Sequence, residues 1–138
     1  MRSWTRLASL LSLLTIAVLL GACDSGGSSS ALDCSLSAGP LVEDFNLTVT
    51  YRAEVEGDGS FSSVTYTTPD GVETVDSPSL PWEAQVLFPA DQDGETAEIR
   101  VEGQATVESG RAGVGYLGEG NDGGFTVELS EEDECSTQ

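Results

Sequence analysis

Between Leu47 and Glu56 apolar and polar residues alternate without a break. Leu47, Val49, Tyr51, Ala53 and Val55 fall on one side, and Thr48, Thr50, Arg52, Glu54 and Glu56 on the other. A period of two is the signature of a strand with one face in a core and one in water, because successive side chains leave an extended backbone in opposite directions. Gly57-Asp58-Gly59-Ser60 predicts a turn, after which residues 61–67 place Val64 and Tyr66 inward and Thr65 and Thr67 outward. Pro69-Asp70-Gly71 predicts the next reversal and residues 72–75 a short strand. Beyond Leu80-Pro81, residues Trp82, Ala84, Val86 and Phe88 share a face. Pro81 has no N–H for a ladder, so it belongs at a strand start or on a sheet edge.

Residues 89–94 read as an acidic loop. Strands are then predicted at 96–102, 103–107, 114–117 and 125–129, with the glycine-rich 118–124 between the last two. No window after Cys23 shows a 3.6-residue repeat. Seven to eight short strands joined by turn residues predict an all-β domain. The expected architecture is a single antiparallel β-sandwich of immunoglobulin-like type over residues 41–138.

The first 22 residues have another character. Arg2 and Arg6 precede an apolar run from Leu7 to Leu20, and Gly21-Ala22 place small residues before Cys23. These are the parts of an export signal, and the run is shorter than the ~18–20 residues a membrane-spanning helix needs. Leu20-Gly21-Ala22-Cys23 resembles the lipobox of bacterial lipoproteins, in which the cysteine sulfur is lipidated and the chain is cut before it. The resemblance implies a signal peptide over 1–22, a mature chain starting at fatty-acylated Cys23, and an address in the cell envelope, on the periplasmic or outer face of a bacterial membrane. Two or more acyl chains would hold it firmly, since each buried methylene contributes about 0.8 kcal/mol. Asp24-Ser25-Gly26-Gly27-Ser28-Ser29-Ser30 has nothing to bury and is expected to form a flexible tether, within a linker over 23–40 that ends at a turn marked by Gly39-Pro40.

Charge narrows the partners. The chain has 24 Asp and Glu, five basic residues and no histidine, for a formal net charge of −19. Loss of the leader would leave only Arg52, Arg100 and Arg111 as cations. Nucleic-acid binding needs a basic footprint and is excluded, as is charge-driven adhesion to anionic lipid. The acids interleave with apolar residues rather than forming one block, as on a solvated face all round a domain. Such a surface looks like that of proteins from salt-rich habitats, where salt screens self-repulsion.

Once a lipid occupies Cys23, Cys34 and Cys135 remain. In an oxidising envelope they can pair and close a loop of about a hundred residues, worth roughly 3–5 kcal/mol; two unpaired thiols are the alternative. Two cysteines without histidine make a poor metal site.

Other candidate sites resolve into ordinary features. Asp91-Gln92-Asp93-Gly94-Glu95, with Glu102 at the twelfth position, invites comparison with a calcium loop. Its sixth position is Thr96 rather than glycine, and no helices flank it. Residues 118–124, with Glu119 and Asp122, could hold calcium loosely; a solvated loop is the plainer reading. Without histidine or lysine the usual bases for a serine or cysteine nucleophile are missing, so no catalytic residue, metal or cofactor is assigned. Asn46-Leu47-Thr48 matches a glycosylation sequon, incidental in a bacterial envelope protein. Trp82 could stack a sugar or peptide, or fill a core; Trp82 and Tyr66 are the candidate partner or ligand contacts.

Three stretches carry a family resemblance: Tyr51-x-x-Glu54-Val55-x-Gly57, Val64-Thr65-Tyr66-Thr67 and Leu80-Pro81-Trp82. In these the chain resembles the mycobacterial MmpS membrane-protein family and related small envelope lipoproteins. The resemblance implies a small extracytoplasmic β-sandwich, tethered to the membrane and accessory to transporters that export lipids or siderophores. That family has an uncleaved membrane helix in place of a lipobox and carries its cysteines in later strands, whereas Cys34 here is expected before the first strand. The expected function is a non-enzymatic binding or accessory module with a protein partner in the envelope. The alternative is a calcium-dependent carbohydrate- or peptide-binding domain, or a small secreted hydrolase using acidic residues.

Overall fold

The computed structural model describes residues 30–43, 46–89, 97–122 and 124–138. The segments expected to form a signal peptide and lipobox ending at Cys23, a tether up to Ser29 and an acidic loop at Asp91–Glu95 lie outside the described residues. The rest is all-β. Its strands are β1 (Leu32–Glu43), β2 (Asn46–Thr68), β3 (Gly71–Asp76), β4 (Trp82–Phe88), β5 (Ala97–Asp122) and β6 (Phe125–Ser136).

All six belong to one antiparallel sheet. Its spine is the β2–β5 ladder, running from Asn46 opposite Asn121 to Tyr66 opposite Val101. Each spine strand has two successive partners on its outer side. β2 is flanked by β4 along its first half and by β3 along its second. β5 is flanked by β1 along its first half and by β6 along its second.

The expected turn at 57–60 does not form. Residues 46–58 and 59–66 both pair with β5, so the chain continues as one strand, with register shifts at Asp58/Gly59 and Phe61/Ser63. Such bulges bend a strand without ending it. Gly57 (φ +105°) and Gly110 (φ +87°) face each other at the bend, where any Cβ on Gly110 would strike the Glu56 carbonyl oxygen. The glycines that suggested reversal therefore supply curvature. The strands predicted at 96–102, 103–107 and 114–117 likewise merge into β5. Gly118, Glu119 and Gly120, expected in a loop, pair with Leu129, Glu128 and Val127 of β6.

Bending at this point folds the sheet over itself. Gly103 has space only for hydrogen: a Cβ there would lie 2.5 Å from Phe61 Cε1 and 2.7 Å from Val114 Cγ1. Two halves of the same strands thus face each other across one core. Leu47, Val49, Tyr51 and Ala53 enter it from one half, and Val64, Ile99 and Val101 from the other, all essentially inaccessible. Burying each larger side chain contributes roughly 1.5–3 kcal/mol.

The N-terminal boundary also moves. Residues 32–40, expected in the linker, are part of β1, where Leu36 and Ala38 are buried and Cys34 sits opposite Ala105. Cys34 is therefore inside the first strand, not before it. Gly39-Pro40 is a bulge within β1, marked by a register shift between Ala38 and Leu41, not its start. Small residues on both faces (Ser35, Ser37, Ala38) hid the alternation.

Cys34 and Cys135 form a disulfide across a sequence separation of 101, joining β1 to β6. Beside it the Ser37 N–H donates to Asp133 Oδ2 at 2.9 Å. The two flanking strands of β5 are thereby tied together on one side of the curl.

Candidate functional site

The opposite side of the curl is closed by aromatic rings. Tyr51 and Tyr66, both from β2, have ring centroids 5.2 Å apart, and Trp82 from β4 lies 5.3 Å from Tyr66. All three come from inward positions, so the period-two pattern put each ring on the core face and the bend brought them together. Tilted contacts at this separation add about 0.5–1.5 kcal/mol each beyond their burial. The structure thus joins the two residues singled out as contacts, Trp82 and Tyr66. Tyr66 is nearly buried, while Trp82 keeps part of its surface in solvent.

Each hydroxyl in this region has a partner. Tyr51 Oη lies 2.9 Å from Thr67 Oγ1, and Tyr66 Oη donates to Glu73 Oε2 at 2.7 Å. Glu73 stands opposite Tyr66 in the β2–β3 ladder, which explains the short approach. The hydrogen bond to Glu73, then burial, pushes Tyr66 up to about 12. Burial pushes Tyr51 up to about 12, partly opposed by the Thr67 hydroxyl. Tyr116, directly opposite Tyr51 in the β2–β5 ladder, donates to Glu131 Oε2 at 3.2 Å and is also pushed up to about 12, by burial first and then by that bond. All three phenols are held neutral, and Tyr66 and Tyr116 donate to carboxylates.

β4 begins directly after Pro81 and, among the described residues, pairs only with β2, with Ala53 opposite Trp82 and Leu47 opposite Phe88. The proline stands at the start of an edge strand, where its missing N–H costs no ladder bond. Along β4 the inward Trp82, Ala84 and Val86 are half-buried, and the outward Leu87 is 63% exposed.

On the outer face a groove of about 470 Å³ crosses β2, β5 and β6. Its floor is Gly113 and Gly115, and its walls include Arg52, Glu54, Glu128 and Glu132. Arg100 holds Glu98 at 2.8 Å and Glu102 at 3.6 Å, and Arg111 holds Glu56 at 2.8 Å and Glu134 at 3.3 Å. Arg52 makes no such pair among the described residues. Glu119 is directly opposite Glu128, and no group of three or more His, Cys, Asp or Glu among the described residues is arranged to hold a metal ion.

Sequence reasoning found the rings but not their contact, and it missed Glu73 and the glycine-floored groove. The alternation of Gly113 and Gly115 with Val114 and Tyr116 was the available signal for the groove. The fold and site define a small all-β domain of one curled antiparallel sheet, stapled on one side and aromatic on the other. Comparison with protein-family models, curated proteins and solved structures finds no match to this chain.

Proposed function

We propose that this chain is a lipid-anchored envelope lipoprotein whose β domain is a non-enzymatic binding module, accessory to a larger envelope assembly. In its finer classification the curled sheet is a β-sandwich of immunoglobulin-like type, acylated at Cys23. The likeness to the MmpS family in three short stretches points to an export complex as that assembly.

One observation supports the reading above the others. The chain entering from the tether becomes β1 at Leu32, and two residues later Cys34 ties that strand to β6. A pull on an N-terminal anchor therefore loads two strands and a covalent link instead of peeling one edge strand away. The aromatic side, with β3 and β4, is left for a partner. A disulfide also fits an oxidising compartment.

Mass spectrometry of the membrane fraction tests the anchor: an acylated Cys23 as first residue is expected, and a bare thiol or a retained leader overturns it. Cys23→Ser should abolish acylation and leave the leader uncut, seen as the intact unprocessed mass in the same measurement. Crosslinking in intact cells tests the module, with a reproducible envelope partner expected and none found overturning it.

A further inference from the structure

Resting on the binding-module reading and naming its surface, we infer that the free edge of β4 docks an extended segment of a basic partner protein, one in which apolar residues alternate with Lys or Arg.

The backbone supplies the first reason. β4 spends one edge on β2 and has no neighbour on the other among the described residues, so alternate N–H and C=O groups of Trp82–Phe88 face outward unpaired. Free edges template added strands unless they are guarded by charge, proline or cover. The other edges are guarded. β1 and β6 are tied by Cys34–Cys135, with Asp133 capping the Ser37 N–H. β3 carries Glu73 and Asp76 within six residues. β4 carries Glu83 alone in seven residues, in a chain with 24 acids.

Side chains give the second reason. Trp82, Ala84 and Val86 point inward yet stay half-exposed, because no strand lies beyond them. An added strand would place its own alternate apolar residues over Trp82 and Val86, the cross-strand pairing that stabilises sheets. Leu87, on the outer face, would gain a neighbour too.

Charge selects the occupant. A second copy would bring a net charge of −19 against −19. A strand with Lys or Arg on its outer face is instead drawn in by the whole surface and set beside Glu83.

Trp82 provides the probe. In the full chain carrying Trp4→Phe it is the only indole, so its emission reports on β4. The ligand used is a synthetic peptide of about nine residues alternating Val and Lys, against a control of equal charge in which the valines are prolines. The alternating peptide is expected to shift Trp82 emission saturably, to slow amide exchange in β4, and to bind roughly tenfold or more tighter than the control, about 1.4 kcal/mol. Val86→Lys and Gln85→Pro should each remove that difference while circular dichroism stays unchanged. Should either variant unfold, Leu87→Lys provides the same test from the outer face.

Equal binding of the proline control, or undiminished binding to the folded variants, overturns the proposal. Self-association through β4 in molar salt also overturns it, since the occupant would be a second copy. If the peptide leaves Trp82 unmoved while cellular crosslinks fall elsewhere on the domain, the β4 assignment fails and the module stands. If the peptide docks on β4 but no envelope partner crosslinks, the surface stands and the module fails.

Discussion

The Tyr51 and Thr67 hydroxyls lie 2.9 Å apart although both belong to β2, separated by sixteen positions. An extended strand would set them tens of ångströms apart, at about 3.3 Å per residue. Their contact measures how far the strand folds back on itself. Thr67 Oγ1 also accepts the Arg100 N–H at 3.0 Å, just beyond the Tyr66–Val101 end of the β2–β5 ladder.

Thr67→Val keeps the side-chain shape and removes these two bonds, together with the longer 3.5 Å one from Thr67 Oγ1 to the Arg100 carbonyl. A partly buried phenol and a backbone N–H lose their partner, so the variant should be less stable by about 1–3 kcal/mol. Urea unfolding followed by Trp82 fluorescence measures this; an unchanged midpoint would show that the contact contributes nothing.

The three tyrosines are the chain's full complement, and all are pushed up to about 12 from an ordinary value of 10. A folded value above the unfolded one means the folded state binds protons more tightly. Its contribution is therefore complete below pH 10 and lost as pH rises from 10 to about 12. Ultraviolet titration of the native protein should show no phenolate step near pH 10, while in denaturant all three should ionise there. Glu73→Gln should bring Tyr66 back down, because the carboxylate that favours its neutral form is gone.

Breaking Cys34–Cys135 frees a loop spanning 101 positions. On the chain-entropy argument this should cost roughly 4–5 kcal/mol. Cys34→Ser, Cys135→Ser and thiol reduction should lower stability by the same amount in denaturant melts. A loss under ~1 kcal/mol would mean that the β1–β6 contact is held by other bonds.

Gly110→Ala tests the bend. The positive φ and the Glu56 carbonyl both oppose a Cβ there, so a loss of at least about 2 kcal/mol is expected. Gly118 is a matched control in the same strand, because its Cβ would meet nothing nearer than 3.6 Å. Gly118→Ala should change stability by under ~1 kcal/mol in the same melts.

Added salt should raise the melting temperature. The described residues bury no charged side chain, and a net charge of −19 repels itself throughout the surface. Screening that repulsion should outweigh weakening the exposed pairs of Arg100 and Arg111, since such pairs contribute little. Calorimetry in dilute buffer and in molar potassium chloride checks the sign; a lower melting temperature in salt would refute it.

Period-two alternation along Leu47–Glu56 was enough to set the class of structure, because which face a side chain takes on a strand is a local matter. The place of Pro81 just ahead of β4 was equally legible, since a residue without an N–H cannot serve a central ladder; that β4 lies at an edge was not. Partner choice is not local. Whether Gly57-Asp58-Gly59-Ser60 reverses the chain or bends it depended on β5 offering one continuous partner to both sides. Residues 32–40 became a strand only because β5 had an unpaired edge and Leu36 a core to enter. Residues 130–136 joined β6 despite their acids because Arg111–Leu117 of β5 offered them a continuous partner, which also brings Cys135 to Cys34. The same tertiary folding turned Tyr51, Tyr66 and Trp82 from three inward positions into one row, and left β4 as the unguarded edge. Alternation assigns faces, and only the folded sheet decides which faces and edges meet.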